Sequence, residues 1–84
     1  MAKLTPEQAA RALLAMHGTG IQPDLVARNY RNAAETLRGY AAKAADARSG
    51  KYRGYTEARA LEEAADNDWR AEHVTAELRK LMAN

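Results

Sequence analysis

Apolar positions in the middle of the chain recur at the spacing of one helix side. Val26, Tyr30, Ala33, Leu37, Tyr40 and Ala44 are separated by 4, 3, 4, 3 and 4 residues, a seam of heptad type. The seam predicts a helix that opens at Pro23-Asp24 and ends near Ser49-Gly50. Arg28, Arg31 and Arg38 fall on another side of the same helix. Gly39 lies within the pattern, where it costs roughly 1 kcal/mol against alanine. It is read as a residue tolerated at a close helix crossing.

A shorter helix precedes this one. Thr5-Pro6-Glu7-Gln8 sets an N-cap threonine, a proline at the first helical position and a glutamine at the third, the arrangement of a capping box. Leu13 and Leu14, with Ala9, Ala10 and Met16, give it an apolar side. His17-Gly18 suits a glycine stop, and residues 19–22 read as a loop.

The third segment is less regular. Thr56-Glu57 can cap a helix running toward Leu81, but its apolar stripe changes side. Leu61, Ala65 and Trp69 share one face, whereas Ala71, Val74, Leu78 and Leu81 lie roughly opposite. Asp66-Asn67-Asp68 sits at the change, and all three are good N-cap types. Two readings stay open here: a helix kinked near 66–68, or one straight helix touching two surfaces. The expected architecture is all-α, a single small helical domain over residues 1–84. A short N-terminal helix is followed by a long antiparallel helical hairpin, 23–49 against 56–82.

Composition makes this a thin-cored protein. Alanine supplies about a quarter of the 84 residues, against eight Leu, two Val, one Ile, three Met, one Trp and no Phe. Alanine is the best helix former but contributes little buried area. A chain this short buries only about 60–65% of its unfolded surface. No cysteine is present to staple it, which fits the cytoplasm, or a virion-associated location for a phage-encoded chain. The alanine and arginine usage suits a GC-rich genome, and small accessory proteins of phages or mobile elements share this make-up. No apolar run approaches the roughly 20 residues that span a bilayer, and MAKLTPEQ has no signal-peptide core. We expect no membrane partner.

The charge is divided. Residues 1–55 hold nine Lys/Arg against four Asp/Glu, and residues 56–84 hold four against seven. Opposite-sign halves attract, within one chain or between two. The expectation is a basic arm lying beside an acidic one, with pairing between chains, a homo-oligomer, as a further option.

Candidate chemistry is sparse. Nucleophilic catalysis needs a nucleophile paired with a base, yet His17 and His73 have no such partner at a convincing spacing. His73 and Glu77 stand at i, i+4, which serves a surface pair better than a metal site lacking further ligands. The acids Glu62, Glu63, Asp66 and Asp68 complement a helix dipole. The glycines of HGTG lack the context of a phosphate cradle. We expect no enzyme, no metal and no cofactor.

The stretch RSGKYRGY, residues 48–55, combines basic and aromatic side chains. Arg48, Lys51 and Arg53 could contact phosphates while Tyr52 and Tyr55 stack on bases, with Arg28, Arg31 and Arg38 extending a basic face. Against this stand the few phosphate contacts on offer, the acidic second half, and the need for a turn at this point. The reading preferred is turn chemistry with a protein-binding role: Lys51, Tyr52, Arg53, Tyr55 and Trp69 as contacts for another protein, since Trp, Tyr and Arg are enriched at interface hot spots. Nucleic-acid binding through Arg28, Arg31, Arg38, Arg48, Lys51 and Arg53 is the alternative. Whether Trp69 caps the core or faces a partner stays open.

Tyr52-Arg53-Gly54 between alanine-rich helices also resembles the turn of the small secreted WXG-type helical hairpins. His73 and Glu77 resemble the spacing of an aromatic or histidine and an acid near the C-termini of those proteins. Tyrosine stands where that family has tryptophan, and residues 1–22 add a helix. The resemblance covers at most 23–84 and implies a secreted helical hairpin.

Overall fold

A computed structural model describes residues 3–83. It holds three α-helices, α1 (Pro6–His17), α2 (Pro23–Asp46) and α3 (Glu57–Met82), with a 3-10 turn at Gly18–Gly20 and a two-stranded β-hairpin between α2 and α3. The all-α expectation and the order of a short helix before a helical hairpin hold.

Each helix begins as its local sequence dictates. At α1 the Thr5 hydroxyl accepts from the Gln8 N–H at 3.2 Å, and the Gln8 side chain accepts from the Thr5 N–H at 2.9 Å. Two N–H groups that no helical carbonyl reaches are thereby satisfied. Gly18 ends the helix at φ 71°, a region glycine enters without steric cost. At α3 the Thr56 hydroxyl accepts from the Arg59 N–H at 3.2 Å.

The pairing of α2 with α3 is antiparallel along its whole length. Asp24 near the start of α2 pairs with Arg79 near the end of α3, and Arg31 and Arg38 both pair with Asp68. The basic arm therefore lies beside the acidic one. α1 packs against α3 and runs in the same sense: Lys3 reaches Asp66 at 3.4 Å, and Ala10 joins a buried cluster with Val74 and Leu78. A second cluster, Ala34, Leu37 and Ala64, lies further along the hairpin, flanked by Tyr40 and Tyr55.

Several expectations need correction. The buried seam of α2 runs through Ala34, Leu37, Ala41 and Ala44, with Val26 and Tyr30 half-buried before it. Ala33 is exposed and Tyr40 lies at the seam's edge. α2 ends at Asp46, three residues before Ser49. α3 is one uninterrupted helix, the second of the two readings left open: Ala71, Val74 and Leu78 are buried as grouped, but the buried side continues through Ala60 and Ala64 and not through the Leu61–Trp69 face. Ala60, Ala64, Ala71, Val74, Thr75 and Leu78 face inward, whereas Leu61, Ala65 and Trp69 are exposed.

Asp66, Asn67 and Asp68 do not cap a break. Asp66 pairs with Lys3 and Arg70, Asp68 pairs with two arginines of α2, and Asn67 donates to the Glu63 carbonyl one turn back at 2.9 Å. No close crossing occurs at Gly39, where an added Cβ would meet nothing within 4 Å.

Seven of the ten buried apolar residues among those described are alanines. Alanine lets helix axes approach closely but removes little area from water per residue. The shape follows: extents of 52 × 26 × 18 Å and a radius of gyration of 15.0 Å, against about 12 Å for a compact chain of this length.

Candidate functional site

The link between α2 and α3 is more ordered than a plain turn. After α2 the chain turns at 47–50, the Gly50 N–H donating to the Ala47 carbonyl at 3.0 Å with Gly50 at φ 73°. The Ser49 hydroxyl is 3.3 Å from both the Lys51 N–H and the Lys51 carbonyl. Strand β1 (Lys51–Tyr52) then pairs antiparallel with β2 (Tyr55–Thr56), Tyr52 opposite Tyr55 and Lys51 opposite Thr56.

The two residues joining the strands, Arg53 and Gly54, have φ of 50° and 81°. Two successive positive φ values mark the tight hairpin turn whose twist matches that of the strands. Asn, Asp or Gly is usual at the first position, and arginine there costs roughly 1 kcal/mol. Its side chain recovers part of that. The Arg53 guanidinium lies 5.7 Å from the Tyr40 ring centre and 5.6 Å from that of Tyr52.

Three tyrosines form the body of this tip. Tyr40 of α2 stacks at 5.4 Å on Tyr52 and 5.9 Å on Tyr55. Lys43 Nζ sits 5.0 Å over the Tyr52 ring and Arg59 6.0 Å over Tyr55. The Tyr52 hydroxyl accepts from Arg53 Nε and from Lys43 Nζ, each at 3.4 Å. Those two bonds, Arg53's first, hold the Tyr52 phenol below the ordinary tyrosine value. Tyr55 moves the opposite way, pushed up by its hydrogen bond to the Glu63 carboxylate.

The sequence-derived candidates divide. Lys51, Tyr52, Arg53 and Tyr55 come together at the tip, with Arg48 in the preceding turn. Lys43, Tyr40 and Arg59 join them, and sequence reading missed all three. The signal that finds them is the hairpin register, which brings the ends of α2 and α3 beside the strands. Trp69 does not join: it lies on the outer face of α3, 44% exposed, its ring 5.0 Å from His73.

Arg31 and Arg38 are engaged by Asp68 on the flank of the hairpin, so they do not extend the tip's charge. Arg28 makes no ion pair among the described residues. His73 and Glu77 do not meet either, since Glu77 pairs with Lys80 at 3.3 Å. Among the described residues no group of three or more His, Asp or Glu side chains is placed to hold a metal. No described helix is long and apolar enough to cross a membrane.

A second feature lies at the other end. An open groove of about 500 Å³ runs where α1 turns into α2, lined by Leu13, Ile21, Leu25, Val26 and Tyr30 with His17 among its polar residues. Leu25 stays 47% exposed there. Compared with known proteins, the chain matches no family model, no curated protein and no solved structure.

Proposed function

We propose that this chain is a non-enzymatic interaction module, a small accessory or assembly subunit that binds another protein. The observation that carries the reading is its surplus of surface. The accessible area is 6015 Å², whereas a compact monomer of this size exposes about 4,900 Å². The difference, about 1,100 Å², exceeds the ~800 Å² that each partner contributes to a standard interface.

The make-up of that surface supports the same reading. Leu4, Met16, Leu25, Leu61 and Trp69 are all exposed, while the helix seam is filled with alanine. Leu61 and Trp69 share the outer face of α3 with Ala65, two turns of helix apart. A bulky aromatic beside a leucine on a rigid helix is the type of anchor that dominates interfaces. The tip adds a preorganised cationic and aromatic knob at the far end of the hairpin.

Nucleic-acid binding is less well supported by the geometry. The tyrosine rings at the tip already contact one another and their own cations, and two arginines of the proposed basic face share Asp68, which leaves half of their charge uncompensated.

The test is co-purification from source cells under nuclease and moderate salt, with wild-type protein beside a Leu61→Ser/Trp69→Ser double variant. A protein retained by wild type and lost from the variant, with helix content equal by circular dichroism, is the expected result. Retention that disappears with nuclease would overturn the reading.

A further inference from the structure

The tip of the hairpin has a charge pattern that the rest of the molecule lacks. Between positions 43 and 59 the cations are Lys43, Arg48, Lys51, Arg53 and Arg59, and the acids are Asp46 and Glu57. Among the described residues none of the five cations makes an ion pair within the tip, and of the five Arg59 alone has a carboxylate partner, Glu63 one turn further along α3 at 3.5 Å. Elsewhere on the hairpin Arg70 and Arg79 are paired with carboxylates and Arg31 and Arg38 share Asp68, while Arg28 makes no ion pair among the described residues. The densest group of cations without a carboxylate partner is therefore at the tip.

The backbone at the apex points the same way. Arg53 occupies a positive-φ position where asparagine or glycine would suit the turn better. A residue held in a costly conformation at a loop tip is an observation from which function is inferred, because the fold alone would select otherwise. The gain at Arg53 is a guanidinium fixed at the apex, held against two tyrosine rings and the Tyr52 hydroxyl. Arginine so held has lost much of its rotamer freedom before any partner arrives, and preorganisation of that kind favours binding.

We propose that the β-hairpin tip is the docking site for an acidic segment of the partner protein, with Arg53 and Lys51 receiving its carboxylates. This rests on the module reading above and names the chemistry of the partner at that end. Carboxylates suit the geometry better than a nucleic-acid strand does. The half-buried tyrosine rings already contact one another and their own cations, which makes them poorer stacking platforms than those single strands use. The cations cluster at the tip, and the arginines between it and Arg28 are engaged by Asp68, so there is no long continuous basic track for a backbone to follow. A guanidinium fork accepts a carboxylate through two parallel hydrogen bonds.

The experiment uses the full chain and two labelled probes at low ionic strength, a glutamate-rich peptide and a single-stranded oligonucleotide of equal charge. A glutamine-for-glutamate peptide is the control. The variant is Arg53→Asn, combined with Lys51→Thr. Asparagine is a preferred residue for the turn and threonine suits the strand position, so this variant keeps the hairpin, and circular dichroism and thermal melting verify that. The expected result is binding of the glutamate peptide, none of the control, and at least about a tenfold loss in the variant, with weakening as salt rises.

Equal binding by wild type and variant overturns the proposal, as does tighter binding of the oligonucleotide than of the peptide. If the peptide fails to bind while nuclease-resistant co-purification persists, the tip inference falls and the module reading stands. If co-purification fails as well, both fall.

Discussion

Thr75 is fully buried in α3, and its hydroxyl has no hydrogen-bond partner among the described residues. A helical threonine commonly bonds the carbonyl one turn back, yet this one faces the seam beside Val74 and Leu78. A buried hydroxyl left unpaired costs about 1–3 kcal/mol of desolvation. Replacing it by a methyl group of similar size removes that cost and buries further apolar area, worth up to about 0.8 kcal/mol. Helix propensity decides nothing, since threonine and valine rank close together. Thr75→Val is therefore expected to stabilise the fold by about 1–2 kcal/mol after imperfect packing is allowed for. In a domain of this length that raises the melting temperature by roughly 4–16 °C. Urea unfolding followed by circular dichroism measures it, with Thr75→Ser as the control. Serine keeps the hydroxyl, loses the methyl and should destabilise by about 1 kcal/mol. If valine destabilises as serine does, the hydroxyl has a partner and the reasoning fails.

Gly39→Ala places a methyl group in open space on an exposed helix position, so it should stabilise by about 0.5–1 kcal/mol; a loss in urea midpoint would show that α2 needs the glycine. Leu78→Ala empties the centre of the larger buried cluster and should cost about 2–5 kcal/mol, enough to unfold much of so small a domain, as circular dichroism at ambient temperature would register. Asp68→Asn removes the shared partner of Arg31 and Arg38 and should cost no more than about 1 kcal/mol at low salt, shrinking as salt is added, where a salt-independent loss would mean packing and not charge. Absorbance titration should find Tyr52 ionising below and Tyr55 above the ordinary tyrosine range, so Tyr52→Phe removes an early step and Tyr55→Phe a late one. The stability linked to Tyr52 grows as pH rises through its lowered pKa, and that linked to Tyr55 is lost as pH rises through its raised one.

Helix existence and order were legible because their signals are local. Thr5 with Gln8, Pro6, Pro23 and Thr56 act through bonds to neighbours three residues away or through a fixed φ, so the sequence window contains the whole interaction. Which face each helix buries was harder. α3 carries alanine at 58, 60, 64, 65, 71 and 76, so more than one side offers a helix-spaced apolar row. Leu61 and Trp69 drew the stripe toward the outer face, while close approach to α2 selects Ala60 and Ala64. The same ambiguity exchanged Ala33 for Ala34 in α2.

The tip was hidden for a different reason. Two-residue strands are too short for alternation to show, and arginine in place of asparagine removes the usual mark of the turn. Tyr40 and Lys43 were invisible as tip residues because their role depends on where α2 ends.

The distribution of leucine joins the fold to the proposed role. Of the eight leucines, only Leu37 and Leu78 are in the buried set, while Leu4, Leu25 and Leu61 stand exposed. A sequence selected for monomer stability alone would put those side chains inside, where each contributes roughly 1.5–3 kcal/mol. This one fills the α2–α3 seam with alanine and fixes its register with ion pairs at the open end and near the middle, Asp24 with Arg79 and Asp68 with Arg31 and Arg38. Alanine keeps the two helices close and the hairpin thin, so a greater share of each helix remains on the surface. The result is a long, ordered scaffold that leaves several larger apolar side chains exposed, gathers a group of cations at the hairpin tip, and keeps its own core small. Under the proposed role such a division favours assembly over the isolated chain, because the area that the proposed partner would cover is the area the chain leaves unburied.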